Sequence, residues 1–476
     1  MGELIALAGP PHTGGPGKEA ARARRRAVLA HAEQSNDGAA RTGRSASGSS
    51  SGSASAAGAD RQTLSPDAGT NNRGKRRRAR TTKSRSGRTA LVLGGGGFTG
   101  GAFEIGALRA LEILLGPGAI GRFDIYVGTS AGAFVASFVA NGVSAERLFA
   151  ALQGDEEAAG LRRPGRRTLM RLNLAGLARA TYRVPLGALA IAAQMATRPG
   201  SVSLVDAVTR LADGLPNGLY DGGGIERYLR ETFSGPGLTD DFRQLSRRLY
   251  LVATDIDSCE RVVYGERGFD DVPISAAAAA SAALPMVYTP RRIGGRSLVD
   301  GGIFSTTNID VAVAHGAELV VVLNPLVPYR NLRGEGAEAT ETLADRGFAP
   351  IGYQAFKMLA HERLQRAALS WQERFPGTDI LLIEPDPDDR LMFETHILDF
   401  ARARTVARRA FRTVGARLLE QSDKLAPIWA RHGISADPVR LRRALGSLPR
   451  RRRGSRLGRI VTVPARAGRA LAAGVR

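Results

Sequence analysis

Phe123-Asp124-Ile125-Tyr126-Val127-Gly128-Thr129-Ser130-Ala131-Gly132 is the stretch that decides the fold of this 476-residue chain. An apolar run of strand type leads straight into G-x-S-x-G, and a helical pattern follows through Ala140. A serine in such a strand-to-helix turn forms a nucleophile elbow. The bend forces the serine into a sparsely allowed backbone conformation, and only small flanking residues, here Gly128 and Gly132, leave room for it. The hydroxyl then stands clear of the sheet at a helix N-terminus, where partial positive charge favours an anion. That placement suits attack on a carbonyl carbon.

Upstream, Thr89-Ala90-Leu91-Val92-Leu93 has the composition of a buried parallel strand and runs into Gly94-Gly95-Gly96-Gly97-Phe98-Thr99-Gly100. Consecutive glycines can turn several backbone N–H groups into one anion-binding concavity. A dinucleotide loop fits the G-x-G-x-x-G spacing at 95–100, but it needs an acidic residue at the end of the next strand. That strand ends in Ser130 instead. An oxyanion hole built from the amides of this loop is the better fit, because adjacent parallel strands bring both loops to the same carboxyl edge of the sheet.

Downstream, Asp300-Gly301-Gly302 follows the short strand Ser297-Leu298-Val299. A serine hydroxyl needs a base within hydrogen-bond reach. Of the six histidines, His12 and His31 lie in a low-complexity arm, and His315, His361, His396 and His432 sit in helical patterns or near the tail. None follows a strand as a triad base would. Asp300 does, and burial would raise its proton affinity. By contrast, Asp221-Gly222-Gly223-Gly224 precedes a helix at 225–229 and reads as a cap.

In this order the three elements resemble the patatin-like phospholipase family, over roughly residues 89–325. Ala280-Ser281-Ala282-Ala283-Leu284-Pro285 and Val252-Ala253-Thr254-Asp255 are similar to further segments of that family. The resemblance implies a three-layer α/β/α domain with a mostly parallel central sheet. It implies Ser130 as nucleophile, Asp300 as general base, Gly301 and Gly302 as the rest of the D-G-G motif, an oxyanion hole with donors from Gly95, Gly96, Gly97 and Gly100, and hydrolysis of lipid acyl esters without a metal or other cofactor. Thr99 departs from the pattern, which commonly has Arg or Lys there. A Ser-His-Asp hydrolase remains an alternative, as does a non-catalytic scaffold.

Composition sets the frame. The net charge of +22 sits at the ends: residues 1–88 hold 17 Lys+Arg against 6 Asp+Glu, residues 437–476 hold 12 against 1, and the middle is neutral. The expected organisation is a disordered basic arm at 1–88, a catalytic domain at 89–325 whose 151–245 region is helical cover or a lid, a helical extension with one strand at 326–436, and a disordered basic tail at 437–476. Lys75–Arg80 and Arg450–Arg453 are the candidate contacts with an anionic membrane. Nucleic acid is disfavoured, because no aromatic residues interleave these arginines. The single cysteine, Cys259, rules out a disulfide within the chain. No secretory signal or spanning segment is evident, and the expected location is the cytoplasm, with peripheral membrane contact.

Overall fold

The structure is a computed structural model that describes residues 87–161, 165–198, 203–330, 343–345, 347–389, 391–392, 399–447 and 460–463. The clusters Lys75–Arg80 and Arg450–Arg453, and His396, lie outside the described residues. Strand β1 (Arg88–Leu93) is buried along its last four residues and leads into helix α1 (Gly97–Leu115). Strand β2 (Ile125–Thr129) is buried throughout and leads through Ser130 into α2 (Ala131–Ala140). Next come α3 (Ala145–Gln153), β3 (Arg171–Leu172), α4 (Leu174–Thr197), α5 (Leu204–Ala212), β4 (Gly218–Asp221) and α6 (Gly223–Phe233). The chain returns to the body with β5 (Arg248–Asp255), β6 (Glu260–Tyr264), α7 (Ile274–Ser281), β7 (Met286–Tyr288), β8 (Arg291–Ile293) and β9 (Arg296–Asp300). It closes with α8 (Ile309–Ala314), β10 (Ala317–Leu323), α9 (Phe348–Arg374), β11 (Asp379–Ile383), α10 (Ala403–Glu420), α11 (Ser422–Arg431), α12 (Pro438–Gly446) and β12 (Ile460–Val463).

The main sheet has the order β12-β11-β10-β1-β2-β5-β9-β8, with β6 paired to β5. The inner run from β11 to β5 is parallel, and the flanking pairs are antiparallel. Parallel strands buried on both faces need apolar side chains in both directions. Leu91 and Leu93 point into one core with α1, α2, α7 and α10, while Ala90 and Val92 point into the other with α8 and α9. Period-2 alternation thus yields three layers.

Residues past 325 pack onto the same body: β11 is an inner strand of the sheet and α10 packs along α1. Two expectations change. The basic tail is ordered in part: Asp437 N–H donates to the Leu114 carbonyl, α12 buries Leu441, and β12 pairs antiparallel with β11. Leu441 and Leu445, one helical turn apart among arginines, form an apolar stripe that the charge count hides. The 151–245 region is helical as expected but also contributes β3 and β4, which join β7 in a separate small sheet. Strands this short carry too few alternating residues to be read from sequence.

Candidate active site

Strand β5 acts as the ruler for the site. β2 pairs with it from Arg248 to Val252, and β9 pairs with it from Ala253 to Asp255. β6 occupies the opposite edge over Leu251 to Asp255, so β2 and β9 share one edge. Thr129 is registered to Val252 and Asp300 to Ala253. The end of the parallel strand and the end of the antiparallel strand therefore meet head to head. Ser130 and Asp300, far apart in sequence, are delivered to adjacent positions.

Ser130 has φ 56° and ψ −122°, a conformation that costs an L-residue about 1–3 kcal/mol. The close approach of β1 holds it there. A Cβ on Gly132 would lie 2.3 Å from the Leu93 carbonyl oxygen, and one on Gly128 would lie 2.5 Å from Ala133 Cα. The Ser130 N–H donates to Ser281 Oγ at 2.9 Å, and the Ser281 hydroxyl donates to the Val252 carbonyl at 2.5 Å. A buried serine of α7 thereby ties the elbow to the ruler strand.

Asp300 is 3% exposed. Its Oδ2 accepts from Ser130 Oγ at 2.5 Å, and its Oδ1 accepts from the Gly302 N–H at 2.7 Å. Burial pushes its carboxyl up to about 6, against the opposing pull of the Ser130 and Gly302 hydrogen bonds. Its backbone is fixed too: its N–H donates to the Ala283 carbonyl, and Thr254 Oγ1 donates to its own carbonyl. Asn308, buried and left-handed at φ 41°, donates from Nδ2 to Thr129 Oγ1 and to the Ser305 carbonyl, clamping the loop after Asp300 to the elbow.

The glycine loop divides. The Gly95 N–H donates to the Thr306 carbonyl and the Gly100 N–H to the Gly96 carbonyl, so neither amide is available to an oxyanion. This corrects the expectation for those two residues: one closes the loop against the Asp300 segment, the other begins the α1 ladder. Gly96 and Gly97, at the N-terminus of α1, keep N–H groups with no partner among the described residues, as does Ala131 at the N-terminus of α2. Gly95 supplies closeness instead, since a Cβ there would lie 3.3 Å from Ser130 Cβ.

Ser130, Asp300 and Gly95 to Gly97 open on a cavity of about 170 Å3. Its walls are mostly apolar, among them Phe98, Phe134, Phe138, Leu152, Leu161 and Phe400. Tyr353 of α9 also lines it, and burial together with the Asp300 charge raises its hydroxyl. Residues 91–313 match the family model described as patatin-like phospholipase. Those residues are a patatin-like phospholipase domain.

Among solved structures the chain is similar to VipD from Legionella pneumophila, at 16% identity over 70% of this chain and 67% of that one, with a TM-score of 0.30. It is similar to the type III effector ExoU at 18% identity, covering 71% and 53%, with a TM-score of 0.28. It is similar to human GIVD cytosolic phospholipase A2 at 13% identity, covering 73% and 60%, with a TM-score of 0.31. The chain thus spans between about half and two thirds of the length of these proteins. No curated protein matches the sequence.

Within the patatin-like domain, no described histidine lines the cavity. His315 stacks on Tyr250 beside Glu266, His361 meets Gln365 and Glu384, and His432 meets Asp379. Thr99, the departure from the family pattern, is buried in α1. Asp255 accepts from the Asp257 N–H, from Ser258 and from Arg296, as a strand-end group does. Asp221 Oδ1 accepts from the Gly223 N–H at the start of α6. The sequence reading missed the Ala131 amide, the contacts by which Ser281 and Asn308 hold the elbow, and Tyr353 in the cavity wall. Ala131 was open to inference as the residue after the nucleophile; the other three depend on long-range packing.

Proposed function

We propose that the chain is a serine acyl hydrolase of the phospholipase A or lysophospholipase type, working through a Ser130–Asp300 dyad. The hydrogen bond from Ser130 Oγ to Asp300 Oδ2 carries this reading. With a carboxyl titrating near 6, Asp300 is ionised at neutral pH yet basic enough to take the serine proton. Ser130 Oγ attacks the ester carbonyl carbon as its proton passes to Asp300. The N–H groups of Gly96, Gly97 and Ala131 face the developing oxyanion, a contribution of about 2.7–4 kcal/mol per donor. Collapse of the intermediate breaks the carbon–oxygen ester bond, and Asp300 returns the proton to the departing alkoxide. Water then gives its proton to Asp300 and attacks the acyl-Ser130 carbonyl. Collapse frees the fatty acid and reprotonates Ser130. The apolar cavity beside the dyad suits an acyl chain.

The test compares wild type, Ser130→Ala and Asp300→Asn on a water-soluble p-nitrophenyl ester and on a panel of phospholipids, lysophospholipids and neutral glycerides. Each substitution is expected to lower turnover by about 10³-fold or more while circular dichroism stays unchanged. Full activity in folded Asp300→Asn would overturn the dyad.

A further inference from the structure

The face of α4 that points away from the body is apolar. Gly176 and Ile191 are buried and Ala180, Val184 and Gly187 partly so, forming the inward stripe that rests on α5. On the outward side Leu174 is 70% exposed, and Tyr182, Leu186 and Leu189 are more than half exposed. This inverts the pattern of a helix that merely covers a core, whose outward side is polar. The patch continues from α4 onto the small sheet. Leu172 of β3, Leu219 of β4 and Met286 of β7 all lie open, Met286 at 80%. The inward residues of that same region, Leu169, Leu284 and Tyr288, wall the catalytic cavity. Exposed apolar residues therefore cluster on the elements that also wall the Ser130 cavity, the kind of grouping that marks an interaction site.

Charge identifies the occupant. Between Glu157 and Asp206 there is no Asp or Glu, while the same stretch holds eight arginines. Arg171, Arg179 and Arg183 are exposed beside the apolar residues. Of the acids that follow, Asp206 accepts from Ser203 and Asp221 faces Arg291, which leaves exposed Asp213 as a single counter-charge. A second copy of this surface would bring arginines chiefly against arginines, with Asp213 too little to balance them. An apolar face flanked by arginine fits the plane of an anionic bilayer, with the leucines among the acyl chains and the guanidinium groups at the phosphates.

We propose that the outward face of α4 and the adjoining small sheet are the surface by which this protein docks onto anionic phospholipid membranes, setting the mouth of the Ser130 cavity at the lipid. The site deepens the hydrolase reading and rests on it only for its purpose, not for the binding itself.

The test uses the full chain carrying Cys259→Ser and Leu189→Cys, the new thiol bearing an environment-sensitive fluorophore. With vesicles of equal parts phosphatidylglycerol and phosphatidylcholine, the emission is expected to shift to the blue. With phosphatidylcholine alone it should not, and about 0.5 M salt should weaken the shift. Leu186→Asp/Leu189→Asp and Arg179→Glu/Arg183→Glu, each with native Cys259, are expected to lower affinity for the anionic vesicles by about fivefold or more. Hydrolysis of the water-soluble ester should stay within about twofold of wild type, since none of these residues touches the dyad. A fluorophore that stays in water while the protein sediments with vesicles would overturn the proposal and move the contact to another basic part of the chain. So would a lipid-free blue shift accompanied by a doubling of mass. Docking that persists without ester turnover would instead overturn the hydrolase reading alone.

Discussion

Replacing Asp300 by Asn should make the protein more stable at alkaline pH while it stops catalysis. The carboxyl titrates near 3.8 when unfolded and is pushed up to about 6 when folded, chiefly by burial. A folded pKa above the unfolded one means that the stability conferred by the neutral form is fully present below about 3.8 and is lost as pH rises through about 6. The gap of about 2 units corresponds to about 3 kcal/mol. Asn is neutral throughout and avoids that loss. Its amide can still accept from the Gly302 N–H and, with the Ser130 hydroxyl rotated, can keep that contact; a mismatch would cost about 1 kcal/mol. The variant should therefore exceed wild type by about 1–3 kcal/mol at pH about 8, and the two should converge toward pH about 4. Urea unfolding followed through the buried Trp371 and Trp429 measures both. A less stable variant at pH 8, or a difference independent of pH, would refute a carboxylate held charged against burial.

Wild-type kcat/KM on a soluble ester should rise with pH through about 6 and then level, because the base must be ionised; a profile flat from pH 5 to 8 would contradict this. Ser281→Ala removes the acceptor of the Ser130 N–H and should cost about 1–3 kcal/mol, with kcat falling more than KM rises, as steady-state kinetics would register. Gly132→Ala sets a Cβ 2.3 Å from the Leu93 carbonyl and should destabilise by about 3 kcal/mol or more, whereas Gly121→Ala, with nothing within 4 Å, should leave the melting temperature nearly unchanged.

The elbow, the glycine loop and the Asp300 turn were legible in the sequence because each is a local solution to a local constraint. Gly128 and Gly132 announce a close approach, and apolar runs such as 319–323 announce strands buried on both faces. What joins the motifs was not legible. The handover on β5 at Val252 and Ala253, the Ser281 hydroxyl under the elbow and the Asn308 clamp are contacts between elements, and no spacing encodes them. Nor does a glycine run say which amides remain available: Gly95 and Gly100 bond other carbonyls, while Gly96 and Gly97 do not. Leu441 and Leu445 were hidden by the arginines around them. The outward leucines of α4 look in sequence like any packing helix, and only their exposure sets them apart.

The most direct test of the account is fluorophosphonate labelling of the purified protein followed by peptide mapping. The phosphonyl group should appear on Ser130 and nowhere else. Its rate of incorporation should fall steeply in Asp300→Asn, because the hydroxyl there has lost its base. Label on another residue, or an undiminished rate at Ser130 without the carboxylate, would contradict a nucleophile activated by Asp300.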